Sequence, residues 1–198
     1  MSALLSTAIS DILARVRDPS ATAHSRALVR ELLSEAQRLV NGGLRSVIDS
    51  ASLTTSAGRQ VYAIEAALGS ALRITGVRDA GRDLVPVDWR CLDMARRDWW
   101  RRVAPQHQVF SLVGRDLLLL HPAKDADSTV TVFYVKKTAA FTAETDRTEL
   151  PDGGDPALLD LVEALLLLRG RRLDALGAPM KRLATALGVE VATEKAVA

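Results

Sequence analysis

The sequence predicts an α+β protein, with helices towards both ends and short antiparallel strands between them. Three observations predict it. Apolar residues recur at three- and four-residue steps over two N-terminal stretches and again from Leu158 to Leu173. Between those stretches, apolar and polar residues alternate over short runs bounded by Gly-containing turns. No self-similarity with a period of about 20 to 50 residues points to a repeat array.

The first helix is expected from about Ala3 to Arg17, where Leu5, Ile9, Ile12, Leu13 and Val16 share one face. Asp18-Pro19-Ser20 stops it, because proline disfavours helical backbone in the residue before it. The second helix is expected from about Ser25 to Val40. Its apolar stripe is Leu28, Leu32, Leu33, Ala36, Leu39 and Val40, and Ser25 or Thr22 caps its first amides. Asn41-Gly42-Gly43 reads as its stop, since both residue types tolerate positive φ.

Strands follow. Leu44 to Leu53 alternates loosely, Ser56-Ala57-Gly58-Arg59 is a turn, and Val61, Tyr62 and Ile64 come next. Leu72, Ile74 and Val77 mark a half-buried strand, and Asp79-Ala80-Gly81-Arg82 a hairpin turn leading to Leu84-Val85-Pro86. Val87 to Asp98 is read as a short helix. A hairpin pairs Val109 to Val113 with Asp116 to Leu120 across Gly114-Arg115. Thr129 to Lys136 is the clearest strand, with Val130, Val132 and Tyr134 on one face and Thr131, Phe133 and Val135 on the other.

The last helix is announced by Asp155 as N-cap and Pro156 as its first residue. Leu158, Leu159, Val162, Leu165, Leu166 and Leu173 form its apolar face, and Gly177-Ala178-Pro179 breaks or ends it. Met180 to Ala198 holds a short amphipathic piece and a polar end, either a frayed terminus or an arm that orders against a partner.

Composition narrows the function classes. With 48% apolar residues among 198, a core is available, and with only 4% aromatics it is built mainly from Leu, Val, Ala and Ile. No apolar run approaches the roughly 18 residues of a membrane span, and the N-terminus lacks the pattern of a signal peptide. The 26 basic and 24 acidic residues nearly balance, unlike the basic excess of a dedicated nucleic-acid binder. The single cysteine, Cys91, excludes an internal disulfide framework and reads as a buried or half-buried small hydrophobe. His24, His107 and His121 are far apart in sequence, so neither a metal site nor a cofactor is expected.

No catalytic constellation is legible. Ser111 lacks the flanking glycines of a nucleophile elbow, and Gly114-Arg115 and Gly153-Gly154 are explained as turns rather than phosphate loops. Three segments remain. In Arg96-Arg97-Asp98-Trp99-Trp100-Arg101-Arg102, four arginines surround two tryptophans. That composition is compatible with loop packing, with a subunit or tail interface at Trp99, Trp100, Arg101 and Arg102, or with nucleic-acid contact by stacking and phosphate pairing. Arg169, Arg171 and Arg172 suit a helix C-terminus and are also candidates for contact with DNA in a pore. Met180, Lys181, Arg182, Leu183, Leu187 and Val189 give the C-terminal piece its amphipathic, partner-binding character.

The order of these features resembles the head-to-tail adaptor (connector) proteins of tailed phages, the ring placed under the portal. The layout carries the likeness over roughly Leu5 to Leu173. A helix rich in Leu, Glu, Ala and Gln, Glu31 to Arg38, precedes a turn before a tyrosine, Ser56 to Tyr62. Leu72 to Arg78 and a Leu-Val-Pro-Val strand follow, then a tryptophan-bearing loop and a hairpin ending in His121-Pro122. A Val-Thr-Val-Phe-Tyr strand, Leu150-Pro151 and a helix from Asp155-Pro156 complete it. The chain departs from the commoner pattern at Ala66 to Ser70, which lacks a Leu-Pro step, and at Ala104-Pro105, where Gly-x-Pro is usual.

The resemblance implies a helical bundle of two N-terminal helices and a long C-terminal one, with a small antiparallel β-rich domain inserted in the middle. Residues 1–43 and 151–178 would then be bundle, 44–150 the β-rich domain, and 179–198 a C-terminal arm. It implies a homo-oligomeric ring, commonly of twelve copies, that seats on the portal protein and extends the channel through which double-stranded DNA passes. A tail tube or nozzle protein docks below it. The expected location is the virion neck, after assembly in the host cytoplasm, with no membrane partner and no enzymatic role. The alternative reading is a nucleic-acid-binding regulator using residues 96–102; a third is a small hydrolase.

Overall fold

A computed structural model describes residues 4–69, 71–95, 97–114, 116–151 and 154–188. Its helices are α1 (Leu5–Arg15), α2 (Arg26–Leu44), α3 (Glu65–Leu68), α4 (Trp89–Ala95), α5 (Gly154–Arg169) and α6 (Gly177–Ala186). Its strands are β1 (Ile48–Thr55), β2 (Val61–Ala63), β3 (Ala71–Asp79), β4 (Arg82–Asp83) and β5 (Val85–Pro86). They continue with β6 (Val103–Ala104), β7 (Val109–Val113), β8 (Leu117–His121), β9 (Ala123–Lys124) and β10 (Ser128–Lys136). The protein is thus of mixed α and β structure. It divides into two compact units, Ile48–Lys136 and the pair of segments Met1–Val47 and Lys137–Ala198 that flank it.

In the helical unit, α1 buries Leu5, Ala8, Ile9, Ile12 and Leu13, the face the periodicity predicts. Past its end the Asp18 carboxylate accepts the N–H groups of Thr22, Ala23 and His24 at 2.9, 3.0 and 2.7 Å, which folds the loop into α2. Ser25 is the N-cap, its hydroxyl accepting from the Leu28 N–H at 3.3 Å.

The buried face of α2 is Val29, Leu33, Ala36, Gln37, Val40 and Asn41, rotated from the predicted stripe so that Leu39 is exposed. The cause is Gln37. Its amide accepts the Glu149 N–H at 2.9 Å and donates to the Ala139 carbonyl at 3.3 Å, tying the returning chain to α2. Nor does α2 stop at Asn41-Gly42-Gly43. It runs on to Leu44, and the left-handed residue is Arg45, at φ 51°. Asn41 ends it differently: its side-chain oxygen accepts from the Val47 N–H at 2.8 Å and the Ser46 hydroxyl at 3.3 Å. The strand read from Leu44 accordingly starts at Ile48.

Helix α5 packs Ala157, Leu158, Val162 and Leu166 into the same apolar cluster as α1 and α2. It starts at Gly154, so Asp155 sits inside its first turn rather than at the N-cap, and accepts from the Thr148 hydroxyl at 2.8 Å. It ends at Arg169, and Arg171 takes φ 55°, so Leu173 leaves the apolar face and is 66% exposed. Gly177-Ala178-Pro179 begins α6 instead of breaking a helix, as proline is tolerated in a first turn.

In the β-rich unit, one sheet has the order β1-β10-β3-β4 and a second the order β2-β8-β7-β5. Val130, Val132, Tyr134 and Val77 of the first sheet share an apolar cluster with Tyr62, Leu118, Leu120 and Phe110 of the second, so the sheets pack face to face. Ala80 and Gly81, both at positive φ, make the predicted β3–β4 hairpin turn. The Tyr62 hydroxyl donates to the Arg59 carbonyl at 2.8 Å and accepts from the Ser56 N–H at 3.2 Å, which explains the turn placed before this tyrosine. The segment read as a helix over Val87 to Asp98 is shorter, with α4 followed by a separate turn at Trp99–Arg101.

Candidate functional site

The arginine-tryptophan segment is built on the second sheet. The Ser111 hydroxyl on β7 accepts the Trp89 N–H at 3.0 Å and the Asp88 carboxylate accepts the Arg90 N–H at 2.9 Å, which starts α4. The turn after it is held from below. Gln60 donates to the carbonyls of Trp99 and Arg102 at 3.5 and 3.4 Å, and the Arg102 carbonyl accepts the Ala123 N–H at 3.0 Å. The Trp99 ring stands edge-on to His121, 5.7 Å between centroids, and its N–H reaches Asp93 at 3.3 Å.

The two tryptophans therefore differ. Trp99 is half-buried and anchors the loop, while Trp100 is 54% exposed beside exposed Val103, Arg101 and Arg102. Asp98, Trp99, Arg101, Arg102 and His121 line a shallow cleft of about 170 Å³. The packing and interface readings thus fall on adjacent residues, and the nucleic-acid reading is left one free indole. Arg96 lies outside the described residues. Cys91 on α4 is exposed, against the expectation of a buried or half-buried small hydrophobe, because α4 buries none of its described residues.

Beneath the loop lies a polar layer that the sequence did not announce. Asp79 accepts the Lys124 ammonium at 2.9 Å and the His107 backbone N–H at 3.1 Å, and Lys124 also reaches the Ser128 hydroxyl at 3.0 Å. The His107 Nδ1 lies 2.7 Å from the Pro122 carbonyl, which only accepts, so the proton is on Nδ1. Burial pushes the His107 imidazole below its usual range. Burial and the nearby Arg102 guanidinium do the same to His121. The Asp79 carboxylate and the Lys124 ammonium pair with each other and brace the loops, while the buried His107 Nε2 has no hydrogen-bond partner among the described residues. The members of this layer come from four separate segments, and no spacing in the sequence points to it.

In the helical unit, Arg169 ends α5 and Arg171 and Arg172 follow it, and all three are exposed. Arg172 donates to the Val16 carbonyl at the end of α1 at 3.2 Å, which gives it a local role. Helix α6 packs on α5, with Leu183 buried in the core and Leu187 partly buried against it. Arg182 pairs with Asp160 and Glu163, both at 2.8 Å. Met180 and Lys181 face solvent. Val189 lies outside the described residues.

Among the described residues no group of three or more His, Cys, Asp or Glu side chains is placed to hold a metal ion, and no helix is long and apolar enough to cross a membrane. The family model described as SU10 adaptor protein matches residues 4–195. The chain belongs to the SU10 adaptor family. That membership agrees with the resemblance to phage head-to-tail adaptors drawn from the order of its elements. No curated protein matches the chain significantly. As an adaptor-family protein it is a phage structural component whose work is contact with other phage structural proteins. This gives the arginine-tryptophan loop and the C-terminal helix their interest as surfaces.

Proposed function

We propose that this chain is a structural head-to-tail adaptor that forms a ring under the portal of a tailed phage, extends the DNA channel and docks the tail, with no catalytic role. Membership of the adaptor family over residues 4–195 carries the reading. In it, the helical unit is a bundle into which the β-rich unit is inserted. The division of the chain into Ile48–Lys136 and its two flanking segments supports that arrangement.

The surfaces are assigned as follows. The C-terminal segment from residue 179 meets the portal, and exposed Met180 and Lys181 on α6 are its first free side chains. Trp100, Arg101 and Arg102, carried on a loop anchored by Trp99, meet a neighbouring copy or the tail, where aromatic and arginine side chains are enriched. Arg169 and Arg171 are available to the DNA channel. A near-neutral chain, at net charge +2, suits a channel through which DNA slides without being held. The ring has about twelve copies in this reading and sits in the virion neck.

Electron microscopy of the purified full chain, alone and mixed with the portal protein, tests the proposal. The expected image is a closed ring seated on the tail-proximal side of the portal. A chain that stays monomeric and unbound in the presence of portal overturns it.

A further inference from the structure

The cleft beside the arginine-tryptophan loop has unused polar groups. Arg101 and Arg102 line it together, and among the described residues neither guanidinium makes an ion pair or a hydrogen bond. Two like charges at one cleft repel each other. His121 also lines it, and its buried Nδ1 has no hydrogen-bond partner. In the chain the two arginines stand between Trp100 and Val103, both exposed apolar side chains. Donors without acceptors, framed by apolar groups, suit an anionic side chain that brings an apolar neighbour with it.

DNA is the poorer fit. Asp98 lines the same cleft, and Asp88 and Asp93 stand on the same segment, so a continuous phosphate backbone meets acids as well as bases. A short pair of carboxylates can reach the two arginines and leave exposed Asp98 in water.

The chain itself carries such a pair. Glu31 and Glu35 lie one turn apart on α2, about 6 Å along its axis. Their face is opposite the buried Val29, Leu33, Ala36 and Val40. Both are exposed, and among the described residues neither makes an ion pair. Like charges at this spacing disfavour each other on a helix that nothing covers. Leu39, one further turn on, is exposed beside them. Arg38 is half-buried on the other flank of the row and pairs with neither acid. Many other acids are already engaged. Ion pairs hold Asp79, Asp83, Glu144, Asp160 and Glu163, and backbone N–H groups hold Asp18 and Asp146. Glu65 and Asp116 border a cleft that already contains Arg73.

We propose that α2 of one copy docks on the arginine-tryptophan loop of the next, with Glu31 and Glu35 on Arg101 and Arg102 and Leu39 against Trp100. This rests on the ring reading above and names the joint that makes it. The two surfaces differ, so each copy offers one and receives the other, the arrangement that closes into a ring by rotation. The paired charges set register and exclude wrong partners, and each surface relieves the repulsion within the other. The apolar contact adds burial beside them. Trp99, held against His121, already fixes the loop, so docking has little ordering to offset.

Charge reversal in the full chain tests this, with assembly followed by light scattering and electron microscopy, alone and on the portal protein. Arg101→Glu with Arg102→Glu, and Glu31→Arg with Glu35→Arg, should each weaken self-association by about tenfold or more. Mixing the two variants, or combining all four substitutions in one chain, should restore it, since every α2 then meets a loop of opposite charge. In a Cys91→Ser background, which removes the only cysteine, chains carrying Glu35→Cys mixed with chains carrying Arg101→Cys should be joined by a short bis-maleimide. Neither chain alone should be. Circular dichroism confirms that each variant is folded. Folded variants that assemble as the wild type does, or that weaken assembly without rescuing each other, overturn the joint and leave the ring reading standing. So does an Arg101→Glu, Arg102→Glu ring that forms normally but no longer retains double-stranded DNA, which turns the loop towards the channel. A wild-type chain that forms no ring with or without portal overturns both.

Discussion

Arg182 on α6 closes a charge-assisted contact with Asp160 on α5, Nε to Oδ1 at 2.8 Å, and the same Asp160 oxygen accepts from Arg15 on α1 at 2.9 Å. Glu163, one turn on, receives the second arm of the Arg182 guanidinium at 2.8 Å and shares the same Arg15 nitrogen, Nη1, at 3.4 Å. One buried carboxylate thus joins three helices, and with the burial of Leu183 it ties a helix near the C-terminus to the helical unit.

Asp160→Ala should lower stability by about 1–2 kcal/mol. The carboxylate is buried, but both guanidiniums are more than a third exposed and recover hydration when it is lost. Arg182→Ala alone should cost less, because Arg15 still satisfies Asp160. Urea unfolding of both variants, compared at equal slope, checks the order. An Arg182 effect larger than that of Asp160 contradicts the network.

Truncation separates core from surface. A chain stopped after Leu176 loses Leu183, which is 7% exposed within the core, as well as the Arg182 contacts. It should unfold at a lower temperature than one stopped after Gly188, which keeps both. Differential scanning calorimetry of the two chains decides. Equal midpoints would mean that α6 contributes nothing to the helical unit.

Leu166→Ala on α5 should cost about 2–5 kcal/mol, the range for a leucine removed from a closed core, since its side chain is 1% exposed. Leu173→Ala, at 66% exposure, should change stability by less than about 0.5 kcal/mol. Chemical denaturation of each variant measures the contrast.

Acid should weaken the helical unit through Glu144 and Asp146. The Arg26 guanidinium, at 2.7 Å, holds the Glu144 carboxyl below its ordinary 4.5. The Ala143 and Thr142 N–H groups hold Asp146 below 3.8. Depressed folded values mean that this stabilisation is complete above the ordinary values and is lost as pH falls through the folded ones. Melting temperature against pH should therefore drop below about pH 4.5, and less steeply in Glu144→Gln.

The β-rich unit carries a second pH dependence, in a higher window. Burial lowers His107 from its ordinary 6.5, so the unfolded chain takes up the proton first. Stability should be complete above about pH 6.5 and decline as pH falls towards the folded value. His121, lowered in the same direction, adds to the decline. His107→Gln should flatten the profile; an unchanged slope would assign it to other groups.

The helices and the hairpins were readable because their cause is local. The face of α1 follows from the spacing of Leu5, Ile9, Ile12 and Leu13, and the β3–β4 turn from Ala80-Gly81 between two alternating runs. The candidate surfaces were readable only in part. Composition marked the tryptophan pair, yet only the contact with His121 separates anchoring Trp99 from exposed Trp100. Likewise Arg172 looked equivalent to Arg169 and Arg171 until the Val16 carbonyl claimed it. The Asp79–Lys124–His107 layer left no trace, because its members meet only after the sheets have packed.

By itself the sequence determined the elements and their apolar faces, since side-chain period and turn chemistry act over a few residues. Tertiary structure alone decided which polar groups are buried and which apolar ones are not. Gln37 displaced Leu39 from the face of α2 because the returning chain at Ala139 and Glu149 needed its amide, and Asp160 ties α6 to α5 through Arg182 and α1 to α5 through Arg15. A buried polar group is stable only when a partner arrives from elsewhere in the chain, and that arrival is a property of the fold.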